Sequence, residues 1–302
     1  MELKDLRYFV RVAEELHFGR AAAQLGMTQP PLSQRINALE QELGVLLLER
    51  TSRRVALTDA GRLFLVEARK LLAQAQQAVE TARRAQSGEI GEIAIGFSSS
   101  VPFTPDVVRA LSAFREAYVM VRLKLVEMAR DAQIEALGEE RIDLGFVRGY
   151  DPPPLAASMM SKLLMNEPLI VAMRSDHPLA RSDRPPTIED LRNEGFILYQ
   201  RDLGGGFNDH IERMCASAGF APLVVQEAMG LAMLLGLVAA GMGITILTDS
   251  LRVLHPENVV FRQLDDPVAV SGLWLIRRGR LSTAAQHFVD LLGASATARM
   301  AS

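Results

Sequence analysis

From Thr58 to about Ala85 no proline occurs, and the only glycine is Gly61, in the first turn of the stretch. Phe64, Ala68, Leu71, Ala75, Ala78 and Ala82 fall at alternating four- and three-residue spacing, the seam of a coiled coil. A helix of roughly 27 residues extends about 40 Å, too long and too one-sided to be buried within its own chain. It must pack on a neighbouring domain or meet a partner helix, and small alanines suit the close approach of a partner. The helix also divides the chain into a short leading segment and a long remainder. At 302 residues, two or three domains are expected.

The leading segment has its own pattern. Residues 5–16 place Leu6, Phe9, Val10 and Ala13 on one helical face. Residues 18–25, FGRAAAQL, form a short second helix that stops at Gly26, where a positive φ suits glycine. Thr28 then stands where it can cap a third helix, with Pro30 and Pro31 in its first turn and Leu32, Ile36, Leu39 and Leu43 inward. Two helices joined by a tight glycine turn make a helix-turn-helix. On the outward face Thr28, Gln29, Ser33, Gln34 and Asn37 can meet base edges, Arg35 can reach a guanine or a phosphate, and Pro30 belongs to the same DNA-binding surface. A plain three-helix bundle would use the same spacing. Residues 46–57, LLLERTSRRVAL, favour the DNA reading: two short strands about a turn at Thr51-Ser52 carry Arg50, Arg53 and Arg54, a basic wing beside a recognition helix.

Charge adds little. Residues 1–88 hold 13 Lys/Arg and 10 Asp/Glu, and the remainder 20 and 26, within a net charge of −3. Two domains of slightly different charge explain those counts as well as a DNA-binding face does.

The run from Phe18 to Gly61 closely resembles the N-terminal signature of LysR-type transcriptional regulators. Leu48 stands where those proteins usually carry phenylalanine, and Gln34-Arg35 reverses the Arg-Gln of some relatives. The resemblance implies an α/β multidomain chain: a winged helix-turn-helix at 1–58, a linker dimerisation helix at 59–88 and an effector-binding domain at 89–302. The last resembles two-lobed periplasmic binding proteins, with one lobe at about 91–162 plus 267–302 and the other at about 163–266. It also implies a homodimer that assembles into a homotetramer, reading double-stranded DNA at two-fold half-sites, with RNA polymerase a possible further partner.

The residues after Gly88 support such a domain. Strand-like segments at 92–97, 121–127, 142–147, 168–173, 196–199, 223–227, 244–248, 259–264 and 270–276 alternate with helical stretches. That alternation predicts mostly parallel sheets. In such folds ligands sit at strand carboxyl ends, against helix N-termini. Ser98, Ser99 and Ser100 follow one strand, Arg130 a second and Arg148 a third. Hydroxyls with guanidinium groups suit a carboxylate. Taken singly, either arginine could be a solvated surface charge. Across the cleft, Gly205, Phe207 and Asn208 open a helix, and Leu231 opens another.

MELKDLRYF at the N-terminus, EALGEERIDLGF at 135–146 and LGLVAAGMGI at 235–244 are similar to the benzoate and catechol branch of the family. There, the positions matching Ser100, Arg148, Gly205, Phe207 and Leu231 line the effector pocket, which implies an aromatic or unsaturated carboxylic acid. The position matching Arg130 is normally a small hydroxyl residue. A guanidinium there would bind a second carboxylate or fill the pocket.

Other classes are disfavoured. Five scattered histidines and the single Cys215 form no hydrolase or metal motif, so neither enzymatic activity nor a cofactor or metal is expected. A transport solute-binding protein would lack the N-terminal module and carry a signal peptide. No run of 18 apolar residues occurs, and a cytoplasmic protein that avoids membranes is expected.

Overall fold

Helix α1 (Leu3–Glu15) forms because Leu6, Phe9, Val12 and Ala13 recur on one face and are buried together. Its first turn is closed by Asp5, whose Oδ2 accepts from the Glu2 amide at 3.0 Å. At the start of α2 (Phe18–Gln24), His17 Nδ1 accepts from the Gly19 and Arg20 amides at 3.1 and 3.3 Å. The chain reverses through Gly26 at φ +65° and enters α3 (Gln29–Leu43), which buries Leu32, Ile36, Leu39 and Glu40. These observations come from a computed structural model that describes residues 1–51 and 54–300.

Thr28 occupies the N-cap position of α3, but its hydroxyl makes no capping bond, contrary to the expectation from sequence. A capping side chain accepts from the second or third helical amide, and Pro30 and Pro31 hold those two positions without an N–H.

Strands β1 (Leu48–Arg50) and β2 (Val55–Leu57) pair antiparallel, with Leu48 opposite Leu57 and Arg50 opposite Val55. The Thr51 amide donates to the Arg54 carbonyl at 2.9 Å. Ser52 and Arg53 of the expected turn lie outside the described residues. Helix α4 (Asp59–Gln86) is entered through Thr58, whose hydroxyl accepts from the Gly61 amide at 2.8 Å and donates to the Leu46 carbonyl at 2.7 Å. A Cβ on Gly61 would stand 2.0 Å from the Leu47 carbonyl oxygen. Gly61→Ala should therefore destabilise residues 1–84 by about 1–3 kcal/mol, read as a lower denaturant midpoint; an unchanged midpoint would refute the close approach.

The seam of α4 divides along its length. Ala68 is fully buried and the Phe64 ring lies 5.2 Å from Phe9, so the first turns complete the core of their own unit. Leu71, Ala78 and Ala82 are exposed. Residues 1–84 form one unit and Ala85 onward a second.

The second unit is built on β3 (Ile90–Phe97), β4 (Met120–Glu127), β5 (Leu144–Gly149), β6 (Met159–Arg174), β7 (Gly195–Tyr199), β8 (Leu223–Ala228), β9 (Thr245–Thr248), β10 (Val259–Gln263) and β11 (Val270–Arg278). Between them run α5 (Pro105–Ala117), α6 (Arg130–Gly138), α7 (Arg201–Gly204), α8 (Phe207–Ser217) and α9 (Leu231–Ala239), and α10 (Thr283–Met300) closes the chain. The main sheet runs β10-β6-β11-β5-β3-β4, with β9 also on β6.

The expectation of mostly parallel sheets is corrected. Strand β3 is parallel to β4 and β5, and β7 to β8, but β11 runs antiparallel to β5 and β6, and β6 antiparallel to β9 and β10. The physical reason is β6, whose 16 residues cross from one core to another while β11 returns beside it. One core holds Ile93, Ile95, Phe114, Phe146, Leu273 and Phe288; the other holds Leu169, Val171, Phe196, Leu198 and Ile246. The apolar run 168–173 lies wholly in the second half of β6, where Leu169, Ile170, Val171, Ala172 and Met173 are buried.

Candidate ligand cleft and nucleic-acid face

Strands β3 and β4 end side by side at Phe97 and Glu127, and β5, whose Phe146 pairs with Phe97, runs on past them to Gly149 and so carries Arg148 to the same rim. The polypeptide leaving them forms one wall of a cleft of about 1250 Å³, opposite the starts of α8 and α9. Ser99, Ser100, Arg130, Arg148, Gly205, Phe207 and Leu231 all line it. Asn208 does not: it is buried, and its Nδ2 donates to the Tyr199 carbonyl at 2.7 Å, anchoring α8 to the end of β7. Its predicted place on the cleft is corrected on that ground.

Arg148 is not a surface charge. It is 5% exposed, and each guanidinium nitrogen has a partner. Nε donates to Ser100 Oγ and Nη2 to Thr104 Oγ1, both at 3.1 Å, while Nη1 lies 2.6 Å from Glu167 Oε2. Burial lowers the Arg148 pKa from its usual value and the adjacent Glu167 carboxylate opposes that shift. Glu167 is itself buried in β6, and its other oxygen accepts from the Ser250 amide. Arg148 therefore fixes the Ser100 hydroxyl from behind.

Across the cleft, Ser99 Oγ lies 3.1 Å from the Tyr199 hydroxyl. Burial pushes the Tyr199 phenol above its ordinary pKa, and the Ser99 bond pulls the other way. Arg130 opens α6. Its Nε donates to Asp131 Oδ1 at 2.8 Å, and Nη2 lies 3.6 Å from Asp209 Oδ2 on α8, so the side chain reaches from one wall to the other. The guanidinium lies over Gly206, at φ +83°, where a Cβ would come within 2.4 Å of Nη1.

Behind this wall, buried His210 Nε2 donates to the Val268 carbonyl at 3.3 Å, and burial holds its pKa below the ordinary value. The unfolded chain therefore takes up a proton first as pH falls. Stability should drop below about pH 6.5, and His210→Gln should flatten that decline in melting temperature between pH 7.5 and 5.5; identical pH profiles would contradict it. Burial pushes the Cys215 thiol up to about 11, which leaves it protonated at neutral pH and a poor nucleophile.

In the first unit, Thr28, Gln29, Pro30, Gln34, Arg35 and Asn37 are exposed along α3 and Ser33 is half-buried. Arg35 Nη1 lies 3.6 Å from Asp5 Oδ1. Arg54 is exposed on the wing, and Arg53 lies outside the described residues. Arg50 is tied down: Nη1 donates to Asn37 Oδ1 at 2.5 Å, Nη2 to Glu40 Oε2 at 2.7 Å, and the guanidinium stands 4.8 Å over the Phe18 ring. Glu40 Oε1 accepts from the Leu47 and Leu48 amides at 2.8 and 3.0 Å. This buried carboxylate joins the wing to the recognition helix.

Glu40, Thr104, Glu167 and Tyr199 were not anticipated from sequence. Glu167 left a trace, as the lone acid in the apolar run LLMNEPLIVAM. Among the described residues no helix is long and apolar enough to cross a membrane, and no group of three His, Cys, Asp or Glu side chains could hold a metal ion.

Comparison with known proteins agrees with this architecture. Residues 3–62 match the bacterial regulatory helix-turn-helix of the lysR family, and residues 86–297 the LysR substrate binding domain. The chain is 40% identical over 297 residues to the uncharacterized HTH-type transcriptional regulator YnfL of Escherichia coli K12, covering 97% of this chain and 99% of that protein. It is 39% identical to the regulator BenM of Acinetobacter baylyi over 92% of this chain and 90% of BenM. Among solved structures, full-length CbnR complexed with its target DNA superimposes with a TM-score of 0.81 at 27% identity, over 98% of this chain and 100% of that one. The BenM effector binding domain with its effector benzoate does so with 0.61 at 30% identity, over 70% and 92%. The chain belongs to the LysR family and is a DNA-binding transcriptional regulator with an effector-binding domain.

Proposed function

We propose that the effector of this regulator is a small organic acid, aromatic or unsaturated, seated with its carboxylate at Ser99 and Ser100. The observation that carries this reading is the placement of two serine hydroxyls at the end of β3 with Arg148 fixed behind one of them. Gly205 allows close approach from the facing wall, while Phe207 and Leu231 supply the apolar contact. The BenM effector binding domain, solved with its effector benzoate, lends support by analogy.

In this reading residues 1–58 bind operator DNA as a winged helix-turn-helix, 59–88 join two subunits, and 89–302 sense the effector. Thr28, Gln29, Ser33, Gln34 and Asn37 meet base edges and Arg35 a guanine or a phosphate, with Pro30 and the arginines Arg53 and Arg54 beside them on the DNA-facing surface, while Arg50 holds the wing in place. The exposed part of α4, from Leu71 on, forms the dimer seam. Dimers assemble into a tetramer on two-fold half-sites, in the cytoplasm, and the bound complex addresses RNA polymerase.

The test is thermal denaturation of the full chain with millimolar aromatic acids. A bound acid raises the melting temperature by mass action, and Ser99→Ala with Ser100→Ala should weaken binding at least tenfold, as lost hydrogen bonds to a charged group imply. Unchanged affinity in the double variant would remove the serines from the site.

A further inference from the structure

The cleft holds more room and less uncommitted positive charge than a small dicarboxylate requires. Pockets for drug-sized ligands span about 300–1,000 Å³, and this one reaches about 1250 Å³. Beyond the serines much of its wall is apolar: Leu231 and Leu235 from α9, Leu247 from β9, Leu251 and Leu254 from the following turn, and Phe103 from the opposite lobe.

The charges are equally informative. Among the described residues the cations lining the cleft are Arg130 and Arg148. Arg148 is neutralised by Glu167, and Arg130 by Asp131 with Asp209 close by. The two lining carboxylates, Glu127 at the end of β4 and Glu257 at the rim, stand in no ion pair among the described residues; both are exposed. A single carboxylate finds hydroxyl donors at Ser99 and Ser100. A second would find only committed guanidinium groups and two like charges, and would lose its hydration without replacement.

We infer that the cleft selects a monocarboxylate with an apolar body longer than one ring, and rejects dicarboxylates. Arg130 is then a bridge between the walls rather than a second anion receptor. The inference rests on the proposed carboxylate reading and narrows it.

Calorimetric titration of the full chain tests it with linear monocarboxylates of four to ten carbons, their α,ω-dicarboxylate counterparts, benzoate and naphthoate. The dissociation constant should fall about three- to fourfold per added methylene until the apolar wall is covered, and naphthoate should bind more tightly than benzoate. Each dicarboxylate should bind at least tenfold more weakly than the monocarboxylate of equal length. Glu127→Gln, at an exposed position, should narrow that gap from the dicarboxylate side alone. Dicarboxylates that match or exceed their partners, or a dissociation constant flat in chain length, would overturn the inference and leave the carboxylate reading standing. If no acid of either series bound while neutral aromatics did, the carboxylate reading itself would fall and the inference with it.

Discussion

Arg148→Ala is expected to destabilise the effector domain by about 3–5 kcal/mol and to abolish effector response in the same step. The substitution strands the Glu167 carboxylate, which is 4% exposed, without its 2.6 Å partner. It also releases the Ser100 and Thr104 hydroxyls from the donors that fix them. A ligand-contacting arginine at a solvated cleft edge would behave differently, with response lost and stability kept. The measurement is urea denaturation of wild type, Arg148→Ala, Glu167→Gln and the double variant Arg148→Met with Glu167→Leu. Replacing both charges by apolar groups of similar size should recover most of the stability lost in the single variants, while response stays lost because Ser100 is no longer held. An Arg148→Ala protein as stable as wild type would show that the pair contributes nothing to the fold.

The second large effect is expected at Glu40. Its carboxylate accepts from two buried amides, Leu47 and Leu48, and from Arg50. Glu40→Ala leaves those donors without acceptors and unpins the wing from α3. Each buried orphan amide costs about 1–3 kcal/mol, so the first unit should lose about 3–5 kcal/mol. DNA affinity should collapse while acid binding by the effector domain persists. Arg50→Ala should cost less, since the two amides keep their acceptor. DNA binding equal to wild type in Glu40→Ala would mean that the wing holds its place without this carboxylate.

Both effects turn on buried carboxylates, which marks where sequence reading stops. Helices and strands announce themselves through apolar periodicity, so α1 to α4 and the ends of β3, β5 and β7 could be read from Leu, Ile and Phe spacing alone. Strand direction carries no such mark, and the antiparallel return of β11 was invisible. The first half of β6, with Lys162 and Asn166 exposed among its leucines, lacked the continuous apolar run of its second half. Partners distant in sequence were equally hidden. Arg148 and Glu167 are brought together by the crossing of β6, and Arg130 with Asp209 by the approach of α6 to α8. Position at a strand end points to Ser99, Ser100, Arg130 and Arg148, which the fold places along one cleft, but it cannot say that the arginines' charges are already matched. Asn208 was misplaced because its role is a bond to the Tyr199 backbone, which no spacing encodes.

A regulator switched through this cleft should hold its DNA differently once the cleft is occupied. Nuclease footprinting of the full-length protein on the region upstream of its own operon, with and without an acid shown to bind, tests that most directly. Protection of paired half-sites about one or more helical turns apart is expected in both states, with the protected span or its hypersensitive positions shifting when the acid is present. Footprints identical with and without a saturating acid would contradict it.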